Sequence, residues 1–438
     1  MPLLLAILGI LVLILLITWA RLNTFISFVI VSVGIGLAAG LDIHRITDAI
    51  QRGIGNIMGS LVIILGFGAM LGRLIADSGA AQQITGSLVR LSGVRRIQWA
   101  MALSGFLVGL PMFYSAGFMV LLPLIFSVAA VTGLPILYIG VPMLAALSVA
   151  HGFLPPHPSP TAIAGQLHAN IGKTILYGLI VSIPTIILSG IVFGRTMRKY
   201  RPGPGPATPT VKFLAADRLP SLGASLATAL MPLILLTATT VFQFIPIPRP
   251  LHKCIAFIGD PNIAMLLSVL AAIYLLGLKR GRAMREIMTS LQDAFKGVAP
   301  FMLIIAGAGA FMQVMSEGGL NQYIAKNLEH TSVSPLFLGW SIAALIRICT
   351  GSSTVAALTT VGTLLPLLQQ SPVPPELMVL AVGAGSMTFS HVNDGGFWLF
   401  KEYFNLSIRQ TFATWTIMET MVSVVGLLMV LLLNQIVH

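Results

Sequence analysis

The sequence predicts an all-α polytopic membrane protein built from two repeats, in which broken helices meet at a binding site. Of its 438 residues, 56% are hydrophobic and only 9% are charged, against roughly 25% charged residues in soluble domains. Apolar segments of spanning length recur along both halves of the chain. Two polar passages, 151–161 and 386–396, interrupt apolar sequence at corresponding places in the two halves. Breaks at matched positions are typical of the substrate sites of secondary transporters.

The first repeat is predicted to occupy residues 1–194. An apolar run precedes the first basic residue, Arg21, so we expect a retained span rather than a signal peptide, which carries positive charge ahead of its apolar core. The segment Ile97–Ala130 is too long for one span and contains Pro111, which predicts a re-entrant hairpin. The short segment Pro135–Ala150 predicts half of a discontinuous helix. Complete spans are expected at Leu3–Ala20, Thr24–Leu41, Ile57–Ala76 and Thr174–Gly194.

Residues 195–220 predict a cytoplasmic linker, because six basic side chains surround the stretch Pro202–Pro206. The second repeat, 221–438, follows with the same order of features. Val333–Gln369 is broken at 351–354, and the short segment Glu376–Thr388 leads into the second polar break. Complete spans are expected at Leu222–Ile245, Asn262–Leu278, Val298–Ser316 and Thr411–Leu433. The whole chain should hold about ten to twelve spans and two re-entrant hairpins.

Loop charges indicate that the two repeats have opposite orientations. A shift of 240 positions aligns Asp77 with Glu317 at the ends of equivalent spans. The loop 77–96 carries three arginines and should lie inside, whereas its counterpart 317–334 carries two glutamates against one lysine and should lie outside. Equivalent loops on opposite sides predict inverted-topology repeats.

The overall charge and the cysteines exclude several classes of protein. The net charge of +12 favours orientation in a membrane over nucleic-acid binding, because the basic residues cluster in short loops. The two cysteines, Cys254 and Cys349, are not spaced as a metal motif, and we predict neither a metal site nor a cofactor. The sequence has no P-loop, HExxH, GxSxG or dinucleotide fingerprint, which disfavours ATP-driven transport and the commonest hydrolases.

The first break contains four prolines, at positions 155, 156, 158 and 160, so no helix continues through it. Extended backbone there offers free carbonyls beside His151, His157 and Ser159, and Thr161 is a suitable N-cap for a following half-helix. The positive end of a half-helix favours an anion. A proline-rich surface loop with incidental histidines fits the same pattern, so both interpretations stay open.

The second break is chemically richer. It places Ser390, His391, Asn393 and Asp394 within five residues and ends in two glycines. Ionisable residues beside membrane segments are functional candidates by default, and a histidine or an aspartate can carry a proton. A membrane-edge turn built on Asn-Asp-Gly is the alternative.

The predicted hairpin tips add hydroxyl groups and a cation. Tyr114 and Ser115 follow the break in the first hairpin, and Gly351-Ser-Ser-Thr354 forms the tip of the second. Hydroxyls at a helix start can bind an anion or a polyol, or simply cap the helix. Arg347 lies in an apolar run just before the second tip, where an arginine is costly unless it is paired, binds an anion or snorkels to an interface.

Three stretches resemble the gluconate permease family of gluconate:proton symporters. They are 151–161 (HGFLPPHPSPT), Arg347 with 350–356 (TGSSTVA), and 385–398 (GSMTFSHVNDGGFW) followed by 401–404 (KEYF). The resemblance implies a bacterial inner-membrane transporter that takes up gluconate, idonate, fructuronate or D-serine with protons. It also implies the wider ion-transporter superfamily, whose members combine inverted repeats, two hairpins, a scaffold and a moving transport domain of the elevator type, usually as homodimers.

We therefore expect a secondary transporter whose site binds a small anionic sugar acid, with the carboxylate against half-helix N-termini and Arg347. Asp394 or His391 should carry the coupling proton. The alternatives are a sodium-coupled carboxylate carrier, with Na⁺ held by backbone carbonyls at the breaks, and an intramembrane enzyme using His391 and Asp394. A channel is disfavoured because no repeated pore-lining ring occurs. The predicted substrate-binding residues are His157, Ser159, Thr161, Tyr114, Ser115, Arg347, Gly351, Ser352, Ser353, Thr354, Ser390, His391 and Asn393.

Overall fold

A computed structural model describes residues 2–200, 214–242, 248–319, 334–369 and 373–437, and these ranges contain helices and no strand. The first half has α1 (Pro2–Thr18), α2 (Thr24–Ala38), α3 (Ile43–Asp77), α4 (Ala80–Ser92), α5 (Ile97–Gly109), α6 (Tyr114–Thr132), α7 (Ile136–Phe153), α8 (Pro158–Gln166) and α9 (Ile171–Lys199). The second half has α10 (Leu222–Phe242), α11 (Arg249–Ile258), α12 (Pro261–Arg280), α13 (Met284–Glu317), α14 (Pro335–Thr350), α15 (Ser353–Gln369), α16 (Pro375–Gly385), α17 (Gly395–Tyr403) and α18 (Ile408–Val437).

Within the described ranges, seven helices are long and apolar enough to cross a membrane, and α3, which is bent by 45°, makes an eighth. This is fewer than the ten to twelve spans that the sequence predicted. The difference arises because several apolar segments form helices too short to span, with 10–17 residues each: Leu8–Thr18, Thr24–Ala38, Pro335–Thr350 and Pro375–Gly385.

Two series of helices, α3–α9 and α13–α18, repeat the same order of features. Each series begins with a helix of 34 or 35 residues, continues through a helix pair with a sharp break, and has a helix that stops at a polar passage. Each then adds a nine-residue helix and a long final helix. The residues before the final helices, His168 and Asn405, both have left-handed backbone, with φ of 52° and 50°.

The long helices α3 and α13 cross at glycines and run antiparallel. A Cβ atom on Gly53 would lie 2.3 Å from the carbonyl oxygen of Gly309, so only glycine allows this approach. Asp77, at the end of α3, accepts a hydrogen bond from Ser290 near the start of α13. In return, Glu317 at the end of α13 accepts one from Arg52 near the start of α3, at 2.9 Å.

The two polar passages lie side by side because α7 and α16 meet at their C-terminal ends. α7 is almost wholly buried and stops at Phe153, before the prolines. A Cβ on Gly383 of α16 would lie 2.3 Å from the carbonyl oxygen of Gly152, which puts the two backbones in direct contact. The polar passages that follow the two helices therefore lie next to each other.

Parts of the predicted organisation lie outside the described residues. The linker predicted at 195–220 begins within α9, which ends at Lys199, and residues 201–213 are not described. Most of the loop 317–334, used above to predict orientation, is likewise outside the described ranges.

Candidate functional site

A cavity of about 410 Å³ lies where the two breaks and the two helix-pair tips meet. Its volume falls within the range of roughly 300–1,000 Å³ that is usual for ligand sites. Nine of the residues that the sequence singled out line it: Tyr114, Ser115, Arg347, Gly351, Ser352, Ser353, Thr354, Asn393 and Asp394. His157, Ser159, Thr161, Ser390 and His391 do not line it in this structure.

The tip between α14 and α15 requires a glycine. α14 ends at Thr350 and is capped by Gly351 in the left-handed conformation, with φ of 72°. Ser352 then starts α15, because its hydroxyl accepts a hydrogen bond from the backbone N–H of Val355 at 3.3 Å. A Cβ on Gly351 would lie 2.2 Å from the carbonyl oxygen of Asn393, so the tip touches the second break.

Side chains of the second break cap the end of α14. The last carbonyls of a helix have no partner within it. The amide of Asn393 donates to the carbonyl oxygens of Ile348 and Cys349, at 2.8 and 3.3 Å. Nε2 of His391 lies 2.9 Å from the same oxygen of Ile348. In this structure His391 therefore holds the break against the tip from outside the cavity lining.

Arg347 and Asp394 form an ion pair at the cavity wall, with 2.5 Å between Nη2 and Oδ2. Their side chains are only 4% and 15% exposed. Arg347 also donates to the carbonyl oxygen of Gly351, while its Nε has no hydrogen-bond partner among the described residues. A buried guanidinium with one free donor beside a cavity is suited to an anion.

Both oxygens of Asp394 accept hydrogen bonds. Besides Arg347, it accepts from the hydroxyl of Ser390 and, at 2.9 Å, from the backbone N–H of Gly396, which makes it the N-cap of α17. Ser390 in turn accepts from the indole of Trp415 at 2.7 Å. This network fixes the position of the carboxyl group at the cavity wall.

The first break reaches the cavity through His151 rather than through His157, Ser159 or Thr161, the residues predicted there to bind substrate. His157 is the N-cap residue of α8, and its Nδ1 lies 3.3 Å from Nδ1 of His151, which lines the cavity. The hydroxyls of Ser159 and Thr161 are buried without a hydrogen-bond partner among the described residues.

Sequence reasoning missed Glu419 on α18, which lines the cavity and is 1% exposed. Its Oε1 accepts a hydrogen bond from the hydroxyl of Ser148 at 2.5 Å, and its Oε2 has no partner among the described residues. An isolated acidic residue inside the predicted span Thr411–Leu433 was the signal that could have revealed it.

Phe301 of α13 was also missed, because an apolar side chain within the predicted span Val298–Ser316 gives no signal of a site. It lines the cavity and stacks on Phe113, just before α6, with ring centroids 6.1 Å apart. One long helix of the antiparallel pair therefore contributes to the cavity wall.

The cavity lining holds one arginine, one asparagine, two carboxyl groups and six hydroxyl-bearing side chains among apolar residues. The hydroxyls belong to Tyr114, Ser115, Thr350, Ser352, Ser353 and Thr354. This combination is suited to a small anion that carries hydroxyl groups.

The overall fold is shared with solved transporters. The YdaH transporter of Alcanivorax borkumensis aligns with a TM-score of 0.68 at 19% identity, covering 94% of this chain and 97% of that one. MtrF of Neisseria gonorrhoeae, described as an antimetabolite efflux pump, aligns with a TM-score of 0.63 at 15% identity, covering 90% and 86%. At these identities the likeness concerns the fold alone.

Sequence comparison is more specific. The chain is 46% identical over 438 residues to the high-affinity gluconate transporter of Escherichia coli strain K12, covering all of both chains. It is 45% identical over 439 residues to the L-idonate transporter of the Gnt-II system of the same strain, and 44% identical over 448 residues to the gluconate permease of Bacillus subtilis strain 168, again with full coverage of both chains. The model of the GntP family permeases matches residues 1–436, which confirms the family that the motifs indicated. This multi-pass membrane protein belongs to the GntP permease family.

Proposed function

We propose that this protein imports gluconate or a related sugar acid across the bacterial inner membrane by proton symport. Its full-length relatives are named as gluconate and L-idonate transporters. The observation that carries the proposal is Arg347, a buried guanidinium that lines a cavity rich in hydroxyls and whose Nε has no hydrogen-bond partner among the described residues.

In the proposed complex, the substrate carboxylate binds Arg347 and competes with Asp394 for it. The guanidinium favours planar carboxylates, and its Nε has no hydrogen-bond partner among the described residues. The substrate hydroxyls bind the tip residues Ser352, Ser353 and Thr354. Polar groups that need hydroxyl partners discriminate strongly against molecules that lack them, which supports selectivity for polyhydroxy acids.

The predicted roles of the other residues stay proposals. His157, Ser159 and Thr161 would contact substrate only in a conformation in which the first break opens to the cavity. Asp394 and His391 were predicted to carry the coupling proton, and both hold the second break against the tip in this structure.

We also propose inverted-topology repeats at 1–194 and 221–438, joined by a cytoplasmic linker at 195–220. The antiparallel pair α3 and α13, whose ends are bonded reciprocally, supports opposite orientations of the two series. We assign this pair to a scaffold and the broken helices to a moving domain of the elevator type. Phe301, which reaches the cavity from α13, then lies at the boundary between them. The homodimer implied by the family remains a prediction.

Uptake by proteoliposomes containing the purified protein tests the proposal. Labelled gluconate would be offered against an excess of idonate, fructuronate or D-serine, first with an alkaline interior and then with a sodium gradient at equal pH. A monoanion carried with one proton accumulates about tenfold per unit of pH difference. Accumulation that follows sodium and ignores pH would support the sodium-coupled alternative, and failure to transport any of these compounds would refute the proposal.

A further inference from the structure

Glu419 is a buried carboxyl group at the cavity. Among the described residues, no lysine, arginine or histidine nitrogen lies within 4.0 Å of its carboxyl oxygens. Its side chain is 1% exposed, and the hydroxyl of Ser148 is its hydrogen-bond donor. Removing an ionised carboxylate from water is costly when it is unpaired, and taking up a proton removes that cost.

The surroundings of Glu419 contain few groups that could hold its charge. It lies on α18, which packs against α7, α9, α14, α16 and α17. Of these, α7 brings His151 to the cavity and α14 brings Arg347, while α9, α16 and α17 bring no titratable side chain to the described lining. Tyr114 of α6 and Asp394 before α17 complete the titratable set of that lining. Arg347 is the one permanent cation among the described lining residues, and it is bonded to Asp394.

The contrast with Asp394 decides between the two carboxyl groups. Asp394 is paired with the guanidinium of Arg347 and also accepts hydrogen bonds from Ser390 and Gly396, so protonation would weaken an existing ion pair. Glu419 keeps Oε2 unbonded, so a proton can be added there without breaking a contact.

We propose that Glu419 takes up and releases the coupling proton, with Ser148 as its hydrogen-bond partner, while Asp394 serves as the counter-ion of Arg347. This inference rests on the proposed proton symport. An anionic substrate and an ionised Glu419 would place two like charges in one small cavity. Binding of the substrate therefore favours the protonated carboxyl, and loss of the proton favours release of the substrate.

Proton uptake on binding gluconate tests this assignment. Calorimetric titrations of purified protein in detergent, in buffers of different ionisation enthalpy, count the protons taken up. Because a carboxyl that already holds its proton can take up no other, the titrations are made over a series of pH values. We expect uptake to rise with pH toward about one proton per gluconate for the wild type and to stay close to none for Glu419→Gln, with Kd at low pH changed by less than about threefold. Glu376→Gln is the matched control, because Glu376 is also buried but accepts from the backbone of Asn170 outside the cavity lining. It should keep wild-type proton uptake. Asp394→Asn should bind gluconate differently but still take up a proton.

The outcomes separate the two proposals. A wild type that binds gluconate without proton uptake at any pH refutes proton symport and the assignment with it. If the wild type and Glu419→Gln take up the same number of protons, the assignment is refuted while proton symport stands. The same holds if uptake is lost in Asp394→Asn but kept in Glu419→Gln.

Two further variants cover the case in which Glu419→Gln does not fold. Glu419→Asp retains a carboxyl, and Ser148→Ala removes its donor, so both should keep proton uptake but shift its pH profile. Unchanged pH profiles in both variants would overturn the assignment.

Discussion

Replacing Asp394 by asparagine should strengthen gluconate binding while destabilising the ligand-free protein. The change removes the anion that holds Arg347, whose side chain is 4% exposed, and leaves the guanidinium buried without a counter-ion. The asparagine oxygen can still accept from the backbone N–H of Gly396, so the cap of α17 is kept. A gluconate carboxylate then supplies the missing anion without competition.

The expected magnitude follows from the burial of the pair. Removing one partner of a buried ion pair costs about 3–5 kcal/mol, and the 15% exposure of Asp394 calls for little discount for solvent screening. If the substrate recovers about 1.4 kcal/mol of this, Kd falls about tenfold. Because ligand binding stabilises the folded state, gluconate should also raise the unfolding temperature of the variant more than that of the wild type.

Calorimetry gives Kd, and thermal unfolding in detergent with and without gluconate gives the change in unfolding temperature that the ligand causes. Asp293→Asn is the matched control, since Asp293 pairs with Lys296 at the surface and does not line the cavity. Binding at least about tenfold weaker in an Asp394→Asn protein that unfolds like the wild type would refute competition and make Asp394 a direct substrate ligand.

Three further substitutions test how the site is built. Gly351→Ala introduces about 1–2 kcal/mol of left-handed backbone strain and places a Cβ 2.2 Å from the carbonyl oxygen of Asn393, so gluconate uptake should be lost. Gly133→Ala, with φ of 68° and no atom near the new Cβ, should introduce only the backbone strain and leave uptake normal. Gly309→Ala should separate α3 from α13 and lower the yield of folded protein, whereas Gly297→Ala on the same helix, with nothing within 4 Å, should not. Asn393→Ala should lower the free energy of unfolding by about 0.5–1.5 kcal/mol, measured by denaturant titration, because the carbonyl of Cys349 loses its donor and that of Ile348 keeps only His391. Normal uptake by Gly351→Ala, equal yields for the two alanine variants of α13, or unchanged stability of Asn393→Ala would contradict these contacts.

The sequence predicted the breaks because their composition is incompatible with a continuous membrane helix. Pro155 and Pro156 follow the end of α7, Pro158 and Pro160 lie in the first turn of α8, and the Asn-Asp-Gly run leads into α17. Arg347 was recognised for a related reason, since an arginine in an apolar run needs a partner. The partner itself, Asp394, is 47 positions away and only the packing of the tip against the break reveals it.

Residues inside regular helices were harder to assign. Glu419 and Phe301 belong to helices whose pattern is that of ordinary spans, and only the packing of α18 and α13 turns these side chains toward the cavity. His391 shows the converse, because its type suggested a role in coupling whereas its ring lies against the carbonyl of Ile348. Which face of a helix meets a cavity is a tertiary property that one sequence does not carry.

The extent of α3 shows the same limit. The predicted span began at Ile57, but the helix begins at Ile43, where Asp42 accepts hydrogen bonds from the backbone N–H groups of His44 and Arg45. Hydropathy detects the apolar part of a helix and not its polar beginning.

A structure determined with gluconate bound would test the central claim most directly. The account predicts the gluconate carboxylate within hydrogen-bonding distance of Arg347 and its hydroxyls at Ser352, Ser353 and Thr354, with the ion pair to Asp394 lengthened. Gluconate bound elsewhere, with the contact between Arg347 and Asp394 unchanged, would contradict it.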